Sequence, residues 1–327
     1  MRVDAAAVEN AAEYYDERHE RGWMDHWPEG KKARVIEIIR QFGLAPGAKV
    51  LEFGCGVGVF TEAVRRALPE LEVHGCDISA TGVRKASLRC PDISFHHLGE
   101  WNLAAFHNQF DLIYTHHVLE HVTDLDGALS TIAKLLKPGG KVLHVVPCSN
   151  PGSLEERISR LMEPTVDPTG RFSIDDSSHL RRPTSDQLVA AASPHGLGFE
   201  QASFANQFWG GIEYLTIQYH WTLLECLNPM RGFNLWAKIR LLALAAWLLP
   251  LSLLRQGPRY VLRSLEQKSS AAKTLVFLLM APFALVAYPF SWAVDKLILG
   301  FRDGEWRQDR LKPNGSEMYA LFRKSEC

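Results

Sequence analysis

In the first two thirds of the chain, hydrophobic positions gather into short runs that end at glycine or an acidic side chain, with polar-studded stretches between them. The strongest run begins at Val50 and passes straight into three glycines, Gly54, Gly56 and Gly58, in VLEFGCGVG. This predicts a strand, a tight turn and a helix from about Val59. Further strands are predicted over Leu71 to Asp77, Ile93 to Leu98 and Phe110 to Thr115. A fifth lies in LLKPGGKVLHVVP, after a helix end broken by Pro138, Gly139 and Gly140. Repeated strand and helix units predict an α/β fold with a doubly wound Rossmann-like sheet over residues 1–205. Past 205 the pattern changes, and two apolar runs, Leu241 to Leu254 and Thr274 to Val294, predict a helical, partly hydrophobic extension over 206–327.

The glycine turn carries the first chemical reading. Glycines at 54, 56 and 58 remove each Cβ that would hold a ligand away from the backbone, and they allow the positive φ such a turn needs. Dinucleotide enzymes use the same strand, turn and helix, so the neighbours decide. Glu52 precedes the first glycine by two residues, where a carboxylate repels a pyrophosphate and attracts the ammonium of an amino-acid-like cofactor; S-adenosylmethionine fits better than a dinucleotide. Phe53 and Cys55 are expected to contribute backbone groups. Asp77 is the expected ribose ligand, with Ile78 beside it. Glu100 and Trp101 are expected at the carboxyl edge near the adenine, and Thr115 and His116 along the methionine arm.

Four blocks in order, VLEFGCGVG, GCDIS, FDLIYTHHVLEHV and LLKPGGKVLHVVP, resemble class I S-adenosylmethionine-dependent methyltransferases over roughly residues 10 to 203. VLEHV together with the later histidine in DDSSHLRRPTSDQLVAAASPHGL is most similar to the O-methyltransferases of ubiquinone biosynthesis. If a helix starts at Val118, then His117, Glu120 and His121 share one face at metal-ligand spacing. The resemblance implies a distal histidine completing this catalytic set, and His179 is the best match. Relatives carry glutamate where this chain has His117. Imidazole there removes a negative charge and moves a divalent metal site from magnesium toward zinc, manganese or iron. Without a metal, His117 or His121 is the candidate general base.

Composition narrows the partners. Lys and Arg number 36 against 37 Asp and Glu, so no global field points to nucleic acid. The cysteines at 55, 76, 90, 148, 226 and 327 form no CxxC pair, which fits a reducing compartment. The charged N-terminal stretch MRVDAAAVENAAEYYDERHERG predicts a helix and lacks the apolar centre of a secretory signal, so the catalytic region is expected in the cytosol. Tyr14 and Tyr15 are expected to pack against the domain.

Thr274 to Val294 holds 21 residues without a charge. At about 1.5 Å per residue that length reaches across a hydrocarbon core of about 30 Å, although Pro282 and Pro289 predict a kink or break. The run from Leu241 has 14 residues, which suits an interfacial or buried segment. Arg255, Arg259, Arg263, Lys268 and Lys273 lie between the runs and Arg302, Arg307, Arg310 and Lys312 lie after them, so a hairpin in one leaflet at the cytoplasmic face of a membrane is favoured over a crossing. The expected activity is methyl transfer to a hydroxyl of a membrane-resident quinone, isoprenoid or lipid-linked acceptor. The alternatives are a soluble acceptor or RNA end with a soluble helical cap, and a non-catalytic membrane scaffold.

Overall fold

The structure is a computed structural model that describes residues 11–165, 167–266 and 271–326. Strands β1 (Lys49–Phe53), β2 (Glu72–Asp77), β3 (Ser94–His97), β4 (Phe110–His116), β5 (Leu136–Pro147), β6 (Leu197–Ala205) and β7 (Glu317–Lys324) form one sheet in the order β3-β2-β1-β4-β5-β7-β6. The pairs β1 with β2, β2 with β3, β1 with β4 and β4 with β5 are parallel. From β1 the chain runs outward through β2 and β3, then returns to the other side of β1 as β4. The order reverses at β1, and in such sheets ligands bind in the crevice at the carboxyl ends of the strands flanking that point. Val50, Leu51, Leu112, Ile113, Val142 and Val145 are buried to 1% exposure or less, as parallel strands covered on both faces require.

Helices α1 (Ala11–Glu20), α2 (Glu29–Gln41), α3 (Val59–Ala67), α4 (Ala80–Arg89) and α5 (Leu125–Leu135) accompany the first five strands. Residues 1–10, where the expected N-terminal helix would begin, lie outside the described residues. The contacts divide the chain into two compact units. One comprises Met1–Pro147, Asp176–Ala202 and Met318–Cys327; the other comprises Cys148–Asp175 and Ser203–Glu317.

Two local expectations are corrected here. Pro138, Gly139 and Gly140 do not end a helix before the strand. β5 already begins at Leu136, and the irregularity appears as a register shift, Phe110 pairing with Leu136 but Leu112 with Lys141. Gly139 takes a φ of 72°, which lets the strand absorb its extra residues as a bulge. Nor does a helix start at Val118. Residues 117–124 form turns and α5 begins at Leu125, with the Asp124 side chain accepting from Gly127 N at its start.

The second unit is helical: α6 (Leu154–Met162), α8 (Trp209–Ile217), α9 (His220–Glu225), α10 (Leu235–Glu266) and α11 (Ala271–Asp309), with α7 (Ser185–Ala192) belonging to the first unit. Leu154, Ile158, Ile212, Leu215, Leu241, Leu248 and Ile298 form its core. Arg255, 1% exposed, joins α10 to α11 through Asp295 and to α8 through the Thr216 hydroxyl, while Arg259 binds the other Asp295 oxygen at 2.8 Å. A charge so deeply buried is tolerated only because every partner is close. Both helices run further than the apolar runs, and α11 continues unbroken through Pro282 and Pro289. Toward solvent α11 presents Leu279, Phe283, Val286 and Phe290, each between 66 and 74% exposed. Lys268, in the basic stretch between the two runs, falls outside the described residues.

Candidate active site

A cavity of about 420 Å³ opens at the carboxyl ends of β1 and β4, large enough for a nucleoside cofactor and part of an acceptor. Its floor is the glycine turn. Gly54, Gly56 and Gly58 have φ of 81°, 51° and 77°, and the amides of Gly54 and Cys55 both donate to the Cys76 carbonyl at 2.8 and 2.9 Å. The turn is thus tied to β2, and the space a side chain would take at Gly54 and Gly56 is bordered by Val118 and His19. Gly58 occupies the cap position of α3 and does not itself line the cavity.

Two carboxyl groups face this turn. Asp77 accepts from Gly56 N at 2.7 Å and Ser79 N at 2.8 Å, which fixes its orientation at the end of β2. Burial raises its carboxyl, against the pull of those two amides. Glu52 is 2% exposed, and the hydroxyls of Thr61 and Tyr114 both donate to its Oε2. Burial outweighs these donors and pushes the Glu52 carboxyl up to about 8 from its ordinary 4.5.

A raised carboxyl means that the folded protein holds a proton the unfolded chain has already released. The stability this lends is fully present below pH 4.5 and is lost as pH rises to about 8. Glu52→Gln removes the titration. We expect the variant to gain stability relative to the parent between pH 5 and 8, read as the difference in denaturant midpoint; parallel curves for the two proteins would contradict this.

Glu52, Phe53, Gly54, Cys55, Gly56, Asp77 and Ile78 all line the cavity, as do His116, His117 and His121. Besides Gly58, three expected contacts do not. The Trp101 ring stacks on His96 with 4.4 Å between centroids and leans on Phe106, away from the cavity, and the Glu100 side chain is 85% exposed. Thr115, expected along the methionine arm through its main chain, does not line the cavity; it is fully buried, with its hydroxyl 2.9 Å from His144 Nδ1.

The turn after β4 gathers the proposed catalytic group without a helix. His117 adopts a left-handed φ of 54°, and the His121 amide donates to the Val118 carbonyl at 2.9 Å, closing the turn. Glu120, fully buried, lies with Oε1 2.9 Å from His117 Nδ1 and 3.9 Å from His121 Nε2. The Leu180 amide donates to the Glu120 carbonyl at 2.7 Å, which brings the distal segment alongside and sets His179 against His121 with ring centroids 4.9 Å apart. Ligand atoms of Glu120, His121 and His179 all fall within 4.8 Å of one another. His117 stands outside that trio: its Nε2 lies 3.4 Å from Lys31 Nζ, an ammonium that can only donate, so Nδ1 carries the proton toward Glu120.

Burial raises the Glu120 carboxyl, but the His117 contact and the neighbouring imidazoles more than offset it and bring it down to about 2. Burial is also the main force on His121, lowering it to about 4. At neutral pH the pair is a carboxylate beside a neutral imidazole. Because His121 Nδ1 faces the Ser178 carbonyl at 3.1 Å, it bears the proton, and Nε2 keeps its lone pair.

The cavity also holds residues that the sequence reading passed over or left out: Tyr15, His19, Trp23 and Trp27, all from α1 and the stretch before α2. Helix α1 is fastened over the turn by Asp16, which accepts from the Ser79 hydroxyl at 2.5 Å and Thr81 N at 2.9 Å. The spacing of 15, 19, 23 and 27, four residues apart, was the available signal.

Residues 24–198 match a family described as methyltransferase domain. A ubiquinone biosynthesis O-methyltransferase of Aromatoleum aromaticum is 33% identical over 131 residues, covering 37% of this chain and 55% of that protein. A phosphoethanolamine N-methyltransferase 1 of Zea mays is 30% identical over 149 residues, 43% of this chain and 29% of that protein. The chain therefore spans about half or less of the length of these curated relatives. Among solved structures, a Haemonchus contortus phosphoethanolamine N-methyltransferase 2 in complex with phosphomonomethylethanolamine and S-adenosylhomocysteine aligns at a TM-score of 0.46 and 16% identity, over 90% of this chain and 53% of that one. With more than half of its length inside the matched family, this chain belongs to the methyltransferase domain family.

Proposed function

We propose that the protein transfers a methyl group from S-adenosylmethionine to a hydroxyl of an acceptor held in a membrane, such as a quinone precursor, isoprenoid or lipid-linked head group. The observation that carries this reading is one cavity in which the glycine turn, Glu52 and Asp77 adjoin His121 and its buried partners. Glu52, held neutral by burial, would ionise beside the ammonium of the cofactor, and Asp77 suits the cofactor's ribose. The acceptor O–H gives its proton to His121 Nε2, an O–C bond forms as the S–C bond of the sulfonium breaks, and S-adenosylhomocysteine leaves. Glu120 stabilises the imidazolium that results.

Glu120, His121 and His179 also fit a divalent cation. Apart from the His117 ring 2.9 Å away, the fully buried carboxylate lacks a donor among the described residues, and two imidazoles complete a nitrogen-rich set suited to zinc, manganese or iron. The nearby cation Arg181 is directed instead at the Leu119 and Val122 carbonyls. Such an ion would lower the pKa of the acceptor hydroxyl.

The membrane part rests on the second unit. Segments Leu235–Leu262 and Val276–Asp309 are each long and apolar enough to cross a bilayer, but only 28% and 11% buried respectively over their most apolar stretch. Exposed apolar surface on this scale needs a cover. With Arg255 and Arg259 turned onto Asp295, the preference for a position within one leaflet over full crossing rests on the places of Arg263, Lys268 and Lys273 in the sequence between the two segments.

Incubation with cofactor labelled in its methyl group, together with membrane extract, is expected to place label in the organic phase, and the protein is expected to sediment with anionic phospholipid vesicles. Label confined to water-soluble products would overturn the acceptor assignment. Protein that stays monomeric in detergent-free buffer and ignores vesicles would overturn the membrane one.

A further inference from the structure

We propose that His19, on α1, reads the ribose of the cofactor: Asp77 receives one hydroxyl of the vicinal diol through its carboxylate and His19 receives the other through Nε2. This rests on S-adenosylmethionine being the cofactor and adds a residue from outside the strand and turn framework. His19 is 3% exposed and lines the cavity beside the glycine turn. Its Nδ1 is 3.4 Å from the Trp23 carbonyl, which can only accept, so Nδ1 carries the proton in the neutral ring and Nε2 presents a lone pair.

The placement of that lone pair is what points to ribose. The ring lies over two glycines: a Cβ at Gly56 would stand 3.2 Å from His19 Cε1 and 3.6 Å from Nε2, and a Cβ at Gly82 would stand 3.2 Å from Cδ2. Gly82 sits in the first turn of α4, where glycine costs a helix about 1 kcal/mol relative to alanine. Such a Cβ would also stand 3.0 Å from the Gly56 carbonyl oxygen, so glycine here leaves room for both the turn and this imidazole. Nε2 therefore faces the turn at Gly56, whose own amide holds Asp77, and His19 is close enough to Asp77 to act on its charge.

Two acceptors side by side call for a ligand that brings two adjacent donors. A ribose diol does so, whereas the adenine edge, with its ring nitrogens, does not. The arrangement is preset, since Asp16 fastens α1 to the start of α4 and Lys85 Nζ donates to the His19 carbonyl. His19 would thus act as soon as the cofactor enters.

Calorimetry of S-adenosylhomocysteine and its 2′-deoxy and 3′-deoxy forms tests this on the full-length protein, His19→Phe and His19→Gln. In the parent, loss of either hydroxyl is expected to weaken binding about three- to tenfold. His19→Phe keeps the ring packing and should lose a similar factor for S-adenosylhomocysteine, while binding one deoxy form as well as the parent does. His19→Gln, with an amide oxygen as acceptor, should recover part of the loss.

If His19→Phe binds S-adenosylhomocysteine within twofold of the parent with both deoxy penalties intact, His19 is only packing and the proposal fails. If the Phe variant does not fold, equal affinity of the parent for all three ligands is the result that overturns it. A parent that binds none of them would defeat the cofactor reading instead, a separate outcome.

Discussion

Glu120→Gln is expected to lower kcat by about 10²- to 10⁴-fold while leaving the affinity for S-adenosylhomocysteine within about threefold. The split follows from position. Glu120 is fully buried among His117, His121 and His179 and does not itself line the cavity that holds the glycine turn. An amide of the same shape preserves packing and the main-chain bond from Leu180, but it cannot stabilise an imidazolium at His121 or hold a divalent cation. Metal analysis of protein purified without chelator should show stoichiometric metal in the parent and background in the variant. Methyl transfer at the parental rate by a folded Glu120→Gln protein would remove this cluster from the mechanism.

Gly54→Ala is expected to cost about 1–3 kcal/mol of stability from backbone strain alone and to reduce methyl transfer by about 100-fold. Two separate effects combine. The φ of 81° is one that side chains bearing a Cβ rarely adopt, and an added Cβ would stand 2.4 Å and 2.9 Å from the two methyl carbons of Val118. Val118 leads into the turn that carries Glu120 and His121, so pushing it aside disturbs floor and wall together. Val118→Ala in the Gly54→Ala background relieves the overlap but not the φ, and should restore activity only in part. Denaturant unfolding and initial rates on the single and double variants read both terms. Single-variant binding of S-adenosylhomocysteine at the parental level would show that the turn tolerates a side chain.

How far the site could be read from sequence depended on whether local chain chemistry or tertiary contact placed each residue. The turn at 54–58 and the acid at 77 were legible because positive φ and a strand end are local demands that leave glycine and aspartate as signatures. The spacing of His117, Glu120 and His121 was legible too, but not its structure, since a single compact turn brings positions three and four apart together as well as a helix does. Trp101 was misplaced because a strand's end fixes height in the sheet and not which face an aromatic ring takes; here it joined the stack with His96. His19, Trp23 and Trp27 lie in a segment brought to the turn by long-range contacts, among them the bonds from Asp16 to Ser79 and from Lys85 to the His19 carbonyl, which span 63 and 66 residues. The four-residue spacing marks a shared face but does not say what that face meets. Strand β7 escaped for a related reason: MYALFRK is a short run whose neighbours were formed more than a hundred residues earlier.

Strand β7 sets the order in which this protein can be finished. It inserts between β5 and β6, with Met318, Tyr319, Ala320, Leu321 and Phe322 at 4% exposure or less, yet the ribosome delivers it only after both long helices have emerged. Until then β5 and β6 lack the neighbour that joins them. A stop codon placed to shed the apolar helices would also delete this strand and leave two open sheet edges prone to aggregation. A version without the apolar helices keeps this strand only if the span between β6 and β7 is replaced by a linker instead of being trimmed from the carboxyl end.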